Sequence, residues 1–294
     1  VLMLRMLLRS GGFRVLSMHI RFAFVSLVLF VTLGLGMIFD FLPFYPMASA
    51  VTHGAIAIFG FMGLLAMGFG SILIPMFALA NPAAEGRSLF ILAIYGAGLV
   101  LAAAGAIGEW MQIAVIGSGL LLVGAVAHVV AMTGLLKTGM KKRLGLSFVL
   151  IRISWVFLLL CIALGVTAIS GIPFEPAFLL AAFIAIFGWL LTFVLGVKQQ
   201  IMPFLAAMNV SKLGGKPPRL SELGNAQPLK IHAVCHFLAF ALVGIGIATE
   251  MEVPVQAGAA IGLIGAVAFL WFTLDVYRRI RANARAAKSE GSAT

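Results

Sequence analysis

"THGAIAIFGFMGLLAMGFGSILIPMF", residues 52–77, decides the fold. The stretch exceeds the roughly 20 apolar residues that cross the hydrocarbon core of a bilayer and contains no charge. It nevertheless keeps His53, Gly60, Gly68 and Pro75, where leucine would enter lipid at lower cost. A helix of this kind belongs in a membrane. Its small and polar residues mark either close approach of a neighbour or a site.

Outward from this stretch the chain stays apolar. Of its 294 residues 63% are hydrophobic and 10% charged, against roughly 45–50% apolar in soluble domains. Apolar runs near 20–38, 48–79, 88–106, 110–135, 147–170, 176–206, 229–249 and 253–277 predict eight transmembrane helices. The expected fold is an all-α, polytopic membrane helix bundle forming a single integral membrane domain over 1–294. The second and sixth spans are long, and Pro75 and Pro203 predict a kink or stop near their ends. The basic amino-terminal stretch, apolar run and "ASA" at 48–50 resemble a leader, but the run is long for one, so the first helix is read as retained.

Charge placement supports the same map. With both termini cytoplasmic, the 20 Lys and Arg gather at one face, and Asp40, Glu109, Glu175, Glu250 and Glu252 occupy the other. The net charge of +11 is therefore spread over short loops and tails. It predicts contact with the lipid bilayer and its anionic headgroups, and no nucleic-acid binding. Cys161 and Cys235 both lie in apolar runs and read as core thiols.

The chain also repeats itself. "AIFG" at 57–60 recurs at 185–188, and in that register Gly68 meets Gly196, Pro75 meets Pro203 and Asn81 meets Asn209. "GAVAH" at 124–128 resembles "GAVAF" at 265–269 at a slightly larger offset. Two four-helix pseudo-repeats, about 20–135 and 147–277, are expected to run the same way through the membrane.

The order His53, Gly60, Gly68, Pro75 resembles the second-helix signature of NnrS-like membrane proteins and, more loosely, of haem-copper oxidase subunit I relatives. The resemblance covers residues 52–77 and, more weakly, 185–205. It implies a multi-pass protein of the bacterial inner (cytoplasmic) membrane. It further implies haem b as cofactor, copper as a second candidate, His53 as an axial ligand, and a quinol or cytochrome as redox partner. Those families have about twelve spans. This chain has neither an adjacent histidine pair nor His-x-His, so an oxygen-reducing haem and copper centre is not expected.

The other histidines are read on their own positions. An imidazole in hydrocarbon needs a partner and so marks a candidate site. His232 and His236 are four apart and share one helix face, which allows two stacked sites, a metal chelate, or one axial ligand beside a propionate-binding neighbour. His128 and His236 lie roughly 13 Å and 9 Å in from the same surface, a depth at which one haem could sit between them. His19 reads as interfacial. The candidate haem or metal ligands are thus His53, His128, His232 and His236. Gly60 and Gly68 leave room for a flat ligand or a helix, and Arg152 and Lys198, beside Gln199 and Gln200, are available to an anionic group.

Walker, dinucleotide, His-Glu-x-x-His and Cys-x-x-Cys motifs are absent, as are paired intramembrane carboxylates, which argues against hydrolytic chemistry. The tryptophans read as lipid-facing or interfacial. Three functions stay open: a haem or copper protein in electron transfer or nitric oxide or metal handling, a permease for a small anionic molecule at the repeat interface using Arg152, Lys198 and Gln200, and a non-catalytic subunit of a membrane complex.

Overall fold

A computed structural model describes residues 14–41, 46–141, 144–171, 176–212 and 225–291, apart from the side chains of Pro46, Asn209, Val210, Lys212 and residues 284–291. Glu175 and the loop cations Arg5, Arg9, Lys142, Arg143, Lys216 and Arg219 lie outside the described residues, as does the side chain of Asn209, the repeat partner of Asn81.

The fold is all-helical, without a strand among the described residues. Eight helices are long and apolar enough to cross a membrane: α1 (Arg14–Ile38), α2 (Met47–Ala78), α3 (Glu85–Ile107), α4 (Met111–Thr138), α5 (Gly145–Ile169), α6 (Ala177–Met208), α7 (Ala226–Thr249) and α8 (Glu252–Asn283). Their outward positions carry Val28, Phe90, Val100, Ile116, Val234 and Leu263, all exposed. Water would not tolerate so continuous an apolar surface, whereas lipid does.

The prolines do not break the helices. Pro75 and Pro203 both sit inside helical segments, and α6 continues in helical form to Lys212. The irregularity lies earlier, where α2 and α6 each widen into a π turn, at Ile56–Met62 and Ile184–Leu191. Both turns open on the same five residues, Ile-Ala-Ile-Phe-Gly, in the register that pairs Gly60 with Gly188. A π turn disturbs the helical hydrogen-bond ladder and leaves a carbonyl to find another donor. In α2 the Phe59 carbonyl accepts from the Tyr95 hydroxyl at 3.2 Å. In α6 the matching Phe187 carbonyl accepts from Thr192 Oγ1 at 3.0 Å.

The chain forms two compact units, Val1–Leu144 with Ile151–Val194, and Gly145–Leu150 with Leu195–Thr294. In the first, α3 and α4 pack backbone to backbone. A Cβ at Gly98 would fall on Leu121, one at Gly105 on Ala114, one at Gly117 on Ala102 and one at Gly124 on Tyr95, so only glycine admits this approach. The two π turns also meet in this unit, where Phe59 stacks on Trp189 at 5.6 Å and 18°. In the second unit α7 and α8 close on Gly246, Gly258 and Gly265. Phe272 and Val276 of α8 are buried with Ala206 and Ala207 of α6, and Leu150, Leu195 and Ala233 form a second cluster.

Candidate functional site

His232 lies where α7 and α8 meet. It is 4% exposed and sits on α7 where Gly265 of α8 brings the two backbones together. Its Nδ1 lies 3.0 Å from the Gly265 carbonyl. A carbonyl only accepts, so Nδ1 carries the proton and Nε2 holds the lone pair. That Nε2 is buried and has no hydrogen-bond partner. One turn further on, the His236 ring lies 5.7 Å away and 26° from parallel, while Phe269 closes the other approach at 4.9 Å. The shared helix face expected from the four-residue spacing is present.

His53 is held in a similar way within the first unit. Its Nδ1 is 2.8 Å from the carbonyl of Phe30 on α1, its ring meets the Phe30 ring edge-on at 5.5 Å, and Gly34 makes room for it, since a Cβ there would lie 3.0 Å from His53 Cε1. Carbonyl anchoring again leaves Nε2 as the free lone pair, the arrangement by which ligating histidines are oriented.

His19 differs from its expected place. It is buried at 4% exposure, donates from Nδ1 to Val15 one turn back at 2.8 Å, and covers Gly68, where a Cβ would lie 2.7 Å from its own Cβ. Hydropathy near a span end suggests an interface, but the bare glycine surface of α2 draws this residue inward. It stands within electrostatic reach of His128, which is buried on α4 and makes no hydrogen bond to a described residue. His128 therefore has a histidine neighbour in its own unit; His232 and His236 belong to the other.

The glycines singled out in the sequence are filled by protein. The space over Gly60 is taken by Ser26 of α1 and Leu99 of α3, and that over Gly68 by His19. Arg152 and Lys198 are both exposed. The buried member of the Lys-Gln-Gln cluster is Gln199, 6% exposed with an unpartnered Nε2, while Gln200 donates to Ser147 at 2.7 Å. Trp155 and Trp189 are core residues at 2% exposure each, contrary to a lipid-facing role, whereas Trp110 and Trp271 are exposed. Tyr95, fully buried, gave no sequence signal beyond being a phenol in an apolar span.

Among the described residues no three His, Cys, Asp or Glu side chains converge on one point. A haem iron brings its porphyrin nitrogens and asks the protein for an axial ligand or two. His53 and His232, each anchored through Nδ1 on a carbonyl, keep Nε2 as the lone-pair nitrogen such an iron would use. No protein-family model matches this chain, and no curated protein matches it. What the fold defines is a class, a helical protein of multi-pass membrane type.

Proposed function

We propose that this chain is a haem-binding protein of the bacterial inner membrane, NnrS-like, acting in electron transfer or in nitric oxide or metal handling. The observation that carries the proposal is His232, whose Nδ1 is fixed on the Gly265 carbonyl and whose Nε2 is buried without a partner. A buried polar atom left unsatisfied costs about 1–3 kcal/mol, and coordination is one way to recover it.

In this reading the chain's own groups do three things. The Gly265 carbonyl holds the His232 proton on Nδ1 and so presents Nε2. His236 stacks beside it, one turn further along α7. His53, anchored on Phe30, offers a separate ligand in the first unit, and His128 a further one. Haem, when bound, supplies a one-electron redox centre. A permease for anions would hold its cations against the substrate, and here Arg152 and Lys198 are exposed and the Gln200 amide nitrogen is occupied by Ser147.

Purified protein is expected to show a Soret band that shifts on adding dithionite, and to lose it in His232→Ala. His53→Ala and His128→Ala test the other candidates in the same spectrum. A colourless, stable preparation from cells supplied with haem would reject the proposal.

A further inference from the structure

Beside the first π turn lies a cavity of about 230 Å³, walled by α2 to α6 of the first unit. Its lining is apolar and built from small residues. Two of the lining glycines, Gly54 and Gly165, differ in kind from the packing glycines. At Gly60, Gly68 or Gly98 a Cβ would strike a neighbour, whereas at Gly54 and Gly165 nothing lies within 4 Å of one. Helix packing therefore does not require glycine at these two positions, and the empty volume is what their missing side chains leave.

Both π turns border this space, the first through Ile58 and Phe59, the second through Ala185. Two polar side chains are on its wall among the described residues. The Cys161 thiol is engaged with the Leu158 carbonyl at 3.1 Å. The Ser118 hydroxyl is not engaged: the residue is 6% exposed and makes no hydrogen bond to a described residue. A helical serine can bond back to a carbonyl one turn earlier, as Ser71 and Ser154 do here. Ser118 instead keeps its hydroxyl for the cavity.

We propose that this cavity is a binding site for a small, uncharged, planar ring bearing one hydrogen-bonding oxygen, seated on the Phe59 side of the wall with its oxygen on Ser118. An apolar cavity of about 150 Å³ admits benzene, so the present volume takes a single substituted ring. The absence of charge from the wall excludes ions, and the lone hydroxyl selects one polar substituent.

The test uses 4-fluorophenol and fluorobenzene as probes, followed by ¹⁹F NMR on the full chain in detergent, with empty micelles as reference. Wild type is expected to give a saturable bound resonance for both, with the phenol tighter. Gly54→Leu and Gly165→Leu fill the space without a clash at Cβ, and each should weaken both probes at least tenfold while leaving the thermal midpoint unchanged or raised. Ser118→Ala should weaken 4-fluorophenol about fivefold and leave fluorobenzene unchanged. Absence of saturable binding by wild type, or equal binding by the leucine variants, overturns the proposal. Should a leucine variant fail to fold, equal phenol affinity in wild type and Ser118→Ala overturns it independently.

Discussion

The two π turns start from the same residues and solve the same problem differently. In α2 the stray Phe59 carbonyl is met by Tyr95 from another helix, α3. In α6 the matching Phe187 carbonyl is met by Thr192 of the same helix. Around the first turn Gly63 lets Trp189, the Ile58 carbonyl and the Tyr95 hydroxyl close in. The matching position in the second turn is Leu191, which is exposed. One carbonyl is thus met from another helix and the other from its own. A backbone irregularity can be inherited by both copies of a pattern while the means of satisfying it diverges, because any donor within reach serves the carbonyl equally well.

This contrast can be broken by mutation, and the largest effect is expected at Gly63. Gly63→Leu would drive a side chain into Trp189 and the Tyr95 hydroxyl, costing about 3 kcal/mol or more, and should appear as loss of monodisperse protein on size exclusion. Tyr95→Phe comes next. It keeps the ring but removes the hydroxyl that donates to the Phe59 carbonyl, for about 1–3 kcal/mol, read as a lowered midpoint in thermal unfolding in detergent. Thr192→Val, nearly isosteric, removes the donor to the Phe187 carbonyl and should cost about 1 kcal/mol in the same assay. Leu191→Ala should change stability by no more than about 0.5 kcal/mol, and a larger loss would show that this position also carries packing that its exposure does not reveal.

The same contrast sets what was legible beforehand. The spans were legible because a bilayer core demands a continuous apolar run, and that demand is met residue by residue along the chain. The repeated Ile-Ala-Ile-Phe-Gly was visible as a string, but nothing in it announced a π turn. Proline was the expected kink or stop, and Pro75 and Pro203 both lie inside helical segments, with α2 ending at Ala78 three residues after Pro75. The spacing of His232 and His236 gave their common face, which the stacked rings display. It could not give the Gly265 carbonyl that fixes the tautomer, because that partner comes from α8.

The sequence by itself determined an all-helical chain with eight apolar segments of membrane-spanning length, since helix formation and lipid partitioning depend on local composition. The tertiary structure alone decided the meaning of each glycine, the burial of His19, the orphaning of His232 Nε2 and the hollow at Gly54 and Gly165. Glycine reads the same whether it admits a neighbouring helix or leaves a void. Only the position of the facing atoms separates the two, and those atoms belong to residues far away in the chain.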